Sequence, residues 1–208
     1  LLRVNALTAS RRIVMQITEE ALARIVAELE RWESRTNYLY QDSADPPNVT
    51  IGVGCLVRSP VAAVELPFVA APTGRPATDA EKSAEFARVS AMPGGRHAHY
   101  YQARPPSLVL YLEDGEVTAL AVSRLREVFL PGLRDTFQRF DAFPEPAQAA
   151  LIDMAWNLGI AGLCKFQLFL GACNALDWPS AAQQCHVSSS RYTRNAWRAA
   201  KLLEAARG

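Results

Sequence analysis

The stretch that decides the reading runs Glu33-Ser-Arg-Thr-Asn-Tyr-Leu-Tyr-Gln-Asp42. It continues through the turn Ser43-Ala-Asp-Pro-Pro-Asn48 into Val49-Thr50-Ile-Gly52-Val-Gly54. Ahead of Glu33, Leu22, Ile25, Val26, Leu29 and Trp32 recur at the spacing of one helix face, which predicts a helix over 17–33. Thr18 suits its N-cap, Glu19 and Glu20 its first turn, and Ile17 with Leu22 a hydrophobic staple. After Glu33 the period changes. Asn37–Asp42 and Val49–Val53 read as two strands joined by turn chemistry, a β-hairpin set directly behind a helix.

That order puts one carboxylate at a helix C-terminus, a second at a strand end, and a hydroxyl on the partner strand. Glu33 meets the negative end of the helix dipole beside Trp32, and both the dipole and desolvation favour its protonated form. A general acid needs that environment near neutral pH. Taken singly, Glu33 reads as a surface or salt-bridging residue, Asp42 as the opening of an Asx-turn, and Thr50 as an ordinary strand former. Only the ordered set points to chemistry.

Further along, residues 58–116 are broken repeatedly by proline. Thr78-Asp-Ala-Glu81 is a capping box that predicts a short helix through Ser90, and Ser107–Leu112 reads as a buried strand or an apolar connector. From Val117 the pattern is helical, with segments near 118–130, 132–140, 146–158, 163–176, 179–186 and 190–206. Pro146 and Pro179 fall at helix starts and Gly159 at a helix end. The helix over Gln148–Leu158 reads as core, with Met154 and Trp156 as packing residues. The fold class expected is α+β, a small hairpin lobe and a larger helical lobe with a cleft between them. Residues 1–208 form one domain in this reading, divided at 116.

Composition narrows the classes. The chain has 208 residues, half of them hydrophobic, and 22 basic against 21 acidic groups for a net charge of +1. That is globular composition, without the basic excess of a nucleic-acid binder and without an apolar run long enough to span a bilayer. Residues 150–208 carry six basic and three acidic groups, five of the six between Arg191 and Arg207. The cluster is either a solvated helix face or a contact for an anionic substrate, expected to weaken as salt rises. Arg194 and Arg198 in it are placed to pair with Glu33 or to reach that substrate.

Four cysteines, Cys55, Cys164, Cys173 and Cys185, lack C-x-x-C spacing. Cys164 and Cys173 read as sharing one helix, some 13 Å apart and beyond bridging. Cys173 and Cys185 fall on successive helical segments, where pairing is open to them, but the expected state of most of the four is a buried free thiol. His97-x-His99 reads as a solvated loop, not a metal site, and His186 as structural. Ser188–Ser190 reads as a loop ending in an N-cap. Leu1–Gln16 holds no signal-type apolar region, so the chain is expected to be a domain of a longer protein.

The hairpin stretch resembles the phage-type lysozymes, the T4-lysozyme-like muramidases of glycoside hydrolase family 24. The matching residues are Tyr40, Asp42, Thr50, Ile51, Gly52 and Gly54. Pro146 to Gly159 with Gly162, Leu163 and Phe166 resembles that family's central buried helix, and Ala181-Ala182 and Arg194-Asn195 its closing helices. The loop between Asp42 and Thr50 is longer than in compact members, Cys55 stands where a structural His is common, and 58–116 is expanded. The resemblance implies a muramidase cutting the β-1,4 bond between N-acetylmuramic acid and N-acetylglucosamine in peptidoglycan, with inversion. Glu33 would be the acid, Asp42 the base and Thr50 the holder of the water. Tyr40, Gly52 and Arg194 would contact substrate, with no cofactor or metal. A silent wall-binding module and a lytic transglycosylase are the alternatives. The expected partner is peptidoglycan, with an immunity protein if the chain is a secreted antibacterial effector rather than an endolysin. The protein would be a monomer acting in the periplasm or wall of a target bacterium, without nucleic acid or membrane span.

Overall fold

The computed structural model describes residues 17–33 and 35–208. The reading of Leu1–Gln16 lies outside them. The first helix, α1 (Glu19–Trp32), starts as its sequence predicts. The Thr18 hydroxyl accepts from the Ala21 N–H at 3.2 Å, and Leu22, Ile25, Val26 and Leu29 are buried. At Glu33 the backbone N–H still donates to Leu29 O at 2.9 Å while φ/ψ turn extended, so Glu33 is the last residue the helix holds. The hairpin follows as β1 (Thr36–Gln41) and β2 (Val49–Gly52), with Tyr40 opposite Thr50. A third short strand, β3 (Cys55–Leu56), completes an antiparallel sheet in the order β1-β2-β3. Two residues carry no readable period, so β3 has no signature in the sequence. The first strand ends at Gln41, one residue before the expected Asp42.

The proline-rich segment folds onto this hairpin. It contains α2 (Pro60–Val64), β4 (Val69–Ala71), β5 (Arg75–Pro76), α3 (Asp79–Ser90) and β6 (Val109–Tyr111). The three strands form a second antiparallel sheet, β5-β4-β6. The capping box of α3 is reciprocal: Glu81 N–H donates to the Thr78 hydroxyl at 3.3 Å, and Thr78 N–H to Glu81 Oε2 at 2.8 Å. Buried Gln41 then ties α3 to the hairpin. Its Nε2 donates to Val89 O at 2.7 Å and to Met92 O at 3.0 Å, just past the end of α3.

In the helical part, α4 (Asp114–Arg124) runs through a widened π turn at Leu125–Phe129 into α5 (Leu130–Thr136). The sequence pattern gives two separate segments here, near 118–130 and 132–140, divided at Pro131, which has no N–H to donate. The π turn keeps the chain helical instead, with Leu130 N–H reaching five residues back to Leu125 O. Next comes α6 (Glu145–Leu163), buried continuously from Ala147 to Ala155 and broken at Gly159, whose φ of +70° and ψ of 162° are non-helical. Three helices close the molecule: α7 (Gln167–Asn174), α8 (Trp178–Gln184) and α9 (Tyr192–Ala205). One continuous cluster of buried side chains reaches from Leu22 on α1 to Ala205 on α9. No single helix among the described residues is long and apolar enough to cross a membrane. The architecture is thus mixed α and β, with small antiparallel sheets beside a helical part.

Cys164 caps the end of α6 while Cys173 lies in α7, and the axes of the two helices differ by 114°, which corrects the shared-helix reading. All four thiols are free. Burial pushes the Cys55 thiol up to about 11 and the Cys173 thiol up to about 12, and it raises Cys185 as well. Since the thiolate is the nucleophile, alkylation of the native protein at pH 8 should modify half-buried Cys164 first, read by peptide mass. Equal labelling of Cys173 would contradict the burial. Gly159 sits where only glycine is at ease, in open space with nothing within 4 Å of an added Cβ. Gly159→Ala should therefore cost about 1–3 kcal/mol of stability through backbone strain alone, measured by urea unfolding.

Candidate active site

A cleft of about 800 Å³ lies between the hairpin and the helical part. Glu33, Tyr40, Asp42 and Thr50 line it together with Phe129, Trp156 and Asn157. The helix end and the hairpin therefore bring Glu33, Asp42, Thr50 and Tyr40 to one cleft. Gly52 and Arg194 are not among the lining residues. Gly52 is buried and faces α4, where a Cβ would meet Val117 Cγ1 at 3.6 Å, so its part is in packing.

Asp42 carries out its Asx-turn role and lines the cleft at once. Oδ1 accepts from Ala44 N–H at 3.1 Å and Asn48 N–H at 2.8 Å, and Oδ2 accepts from Asn48 Nδ2 at 3.0 Å. The long hairpin loop is folded around this one carboxylate. A carboxylate offers about four lone-pair sites, so one on Oδ2 remains for a further donor. The Thr50 hydroxyl donates to Asn48 O at 3.2 Å, which leaves its lone pairs as acceptors. Tyr40 is half-buried and lines the cleft too. Burial first, and then the charges of Glu33 and Asp42, raise its pKa, so the phenol stays neutral.

Glu33 Oε1 accepts from Arg194 Nη1 at 2.6 Å, while no partner among the described residues engages Oε2. Behind Arg194 lies an ion cluster rooted in Asp153, only 1 % exposed. Arg194 Nε donates to Asp153 Oδ1 at 3.0 Å, and its Nη2 lies 2.9 Å from the same oxygen, off hydrogen-bond angle, as an ionic contact only. Arg198 donates from Nε to Asp153 Oδ2, and through Nη2 to Asn157 Oδ1 at 3.2 Å. Burial opposes the Arg194 charge, but the hydrogen bonds and charges of Asp153 and Glu33 outweigh it and raise its pKa. For Arg198 burial dominates and lowers it. Both stay cations, since an arginine starts so high.

Three sequence readings change here. Arg194 and Arg198 are buried and paired, and Lys201 pairs with Glu204 at 2.9 Å, so Arg191–Arg207 is not a free basic face. Ser190 does not cap α9. Its hydroxyl donates to Asn157 Oδ1 at 2.6 Å and accepts from Arg198 Nη1 at 3.2 Å. The end of α6 is cleft wall as well as core: Trp156 donates from Nε1 to Val53 O at 3.0 Å, locking the helix to the β2–β3 turn. Asp153 was missed although it is the only charge between Ala147 and Leu163, a signal legible in the sequence. Arg58, Arg96 and Arg124, which also line the cleft, stand far apart in the chain and leave no such signal. His97 and His99 are exposed with their rings stacked at 5.8 Å, and His186 is exposed too. Among the described residues no group of three His, Cys, Asp or Glu side chains could hold a metal ion.

No family model matches the chain, and no curated protein matches it. The weight therefore falls on the geometry. Removing the shared anion of the buried cluster leaves two guanidiniums with Glu33 alone. Asp153→Asn should cost about 3–5 kcal/mol of stability by urea unfolding, the range for breaking a buried pair from one side. A loss below about 1 kcal/mol would mean that water reaches the cluster.

Proposed function

We propose that this protein is a peptidoglycan hydrolase of lysozyme-like fold, cutting the β-1,4 bond on the N-acetylmuramic acid side with Glu33 as acid and Asp42 as base. One observation carries the reading. Glu33 and Asp42 line one cleft, each held through one set of oxygen contacts and each with an acceptor position left over. Two carboxyls flanking a groove is the arrangement glycoside hydrolysis uses.

The steps follow from the free positions. Glu33 Oε2 carries the proton and delivers it to the glycosidic oxygen as the bond from C1 of the muramic acid breaks. Arg194, fixed by Asp153, holds the other oxygen so that Oε2 keeps its place. A water donating one hydrogen to Asp42 Oδ2 and the other to the Thr50 hydroxyl oxygen attacks C1 from the opposite face, and its proton passes to Asp42. The products are a new reducing end of inverted configuration and a free 4-hydroxyl. Asp42 then releases its proton to solvent, and solvent returns one to Glu33. Tyr40, kept neutral by burial and by its acidic neighbours, is able to donate to a sugar oxygen.

Glu33→Gln keeps the shape but cannot deliver a proton. Asp42→Asn retains an oxygen for Ala44 and Asn48 N–H, so the loop survives, but it cannot accept a proton from water. Each should lower release of soluble fragments from purified peptidoglycan by about 10²–10⁴-fold with the fold intact by circular dichroism. The anomer formed should be inverted, which requires roughly 6.5–9.5 Å between the carboxyls to seat a water. A folded Glu33→Gln protein working at the full rate would falsify the assignment. A 1,6-anhydro product would make the protein a transglycosylase, and a retained anomer would make Asp42 a nucleophile.

A further inference from the structure

The loop that follows α3 carries a pocket of its own, apart from the cleft. It encloses about 560 Å³, within the span of small-molecule sites, and His99, Tyr100, Gln102, Arg104 and Ser107 line it together with Arg88. Between Glu85 and Glu113 the chain has no acidic residue. Of the pocket's two arginines, Arg88 is already engaged. Its guanidinium donates to both oxygens of Glu85, at 2.7 Å each, and to Tyr101 O. Glu85 is buried and answered by those bonds, and no carboxylate stands on the pocket wall. Arg104 has no carboxylate within 4 Å among the described residues. Nor does any hydrogen bond there engage the side chains of His99, Tyr100, Gln102 or Ser107. These five side chains belong to exposed residues, so the core does not require them.

The backbone nevertheless fixes where they stand. Tyr101 is fully buried and anchors the stretch twice: its hydroxyl donates to Pro93 O at 2.9 Å, and its carbonyl accepts from Arg88. A short 3₁₀ turn over Ala98–Tyr100 runs directly into it, closed by the Tyr101 N–H on Ala98 O at 3.0 Å, so His99 and Tyr100 leave the core beside a fixed residue. Ser107 N–H donates to Arg104 O at 2.9 Å, which closes a turn over Pro105 and Pro106 and sets Arg104 and Ser107 at its two ends.

The wall is rich in donors and empty of negative charge. Guanidinium, amide, phenol and hydroxyl all donate, and an imidazole donates from at least one nitrogen. They come from two turns and surround a concavity. A planar carboxylate is satisfied by one guanidinium fork, whereas a phosphate turns three acceptor oxygens in different directions and takes donors from several sides. The pocket is also much larger than a bare ion, and the Tyr100 ring and Ala103 offer apolar surface to an organic body. Arg96 lies over that ring, 5.7 Å from its centroid, and adds positive charge beside it.

We propose that this pocket binds a phosphate monoester, with Arg104 and His99 on the phosphate, Ser107 donating to it, and the body of the ligand against Tyr100. A sugar phosphate in solution and the headgroup of phosphatidic acid share that chemistry. The site is independent of the peptidoglycan reading, since none of these residues lines the cleft.

Two arms test it in a phosphate-free buffer. Calorimetric titration compares a hexose 6-phosphate with the uncharged hexose, and co-sedimentation compares phosphatidylcholine vesicles with and without phosphatidic acid. At least one phosphate form should bind about tenfold or more tightly than its phosphate-free counterpart, the worth of one hydrogen bond to a charged group. Arg104→Ala and His99→Ala, both at exposed positions, should each weaken that binding about tenfold for the same reason, with the circular dichroism spectrum unchanged. Arg139→Ala removes an exposed arginine of the helical part and should leave it as it was. Arg104-dependent binding of the hexose phosphate assigns a soluble ligand, and Arg104-dependent binding confined to phosphatidic acid vesicles assigns the lipid. The proposal is overturned if neither phosphate form is preferred, if Arg104→Ala and His99→Ala bind as the parent does, or if Arg139→Ala loses as much as they do.

Discussion

The bridge that Arg194 makes between Asp153 and Glu33 is the contact on which the rest of the structure depends. Asp153 is an anion inside an otherwise apolar helix, and a charge in such a place is tolerated only when it is paired and hydrogen-bonded. Arg194 and Arg198, one helical turn apart on α9, supply the partners, and α9 is thereby fixed against α6. Arg194 spends what remains of its fork on Glu33, at the end of α1. Three helices distant in sequence are registered by one cluster in which two carboxyl groups meet two guanidiniums. Such a cluster adds less net stability than an apolar core of the same volume. What it supplies here is position: it holds a cleft carboxylate from behind and leaves the cleft side open.

The hairpin reaches the cleft by a different device. Its loop, the seven residues 42–48 between β1 and β2, contains two prolines, so it has no two-residue turn to set its register. Asp42 performs that task by accepting three hydrogen bonds from inside the loop. The structural and the chemical readings of this residue are therefore compatible. An Asx-turn fixes the carboxylate without exhausting it.

The end of α6 shows how one element can serve core and site together. Up to Ala155 the helix is enclosed on every side. Trp156 and Asn157 then point to the edge of the core, where one bonds the β2–β3 turn and the other receives Arg198 and Ser190. Gly159 breaks the helix just beyond, and the residues around the break become cleft wall. Burial, hinge and lining thus follow one another within two helical turns.

Much of this was legible in the sequence because it is local. The Thr18 cap, the capping box of α3, the stop at Gly159 and the hairpin around Asp42 all depend on residues within a few positions of one another, where spacing alone states the physics. Glu33, Asp42 and Thr50 belong to that class, since a helix end and a hairpin place them within eighteen residues. Asp153 announced itself as a lone charge in an apolar run, but not its partners. The rest was decided by tertiary structure. The short strands β3, β4 and β5 exist because neighbours satisfy their backbone groups, whereas β6 falls within the strand read over Ser107–Leu112. Pro131 remains helical because a π turn absorbs its missing donor. The arginines of the last helix look like a basic face until Asp153 and Glu33 bury and neutralise two of them, whereas Arg58, Arg96 and Arg124, scattered over 67 positions, become a cluster only when the chain folds. Charge acts through space and not along the chain, so which cations are free and which are spent is settled only by the fold.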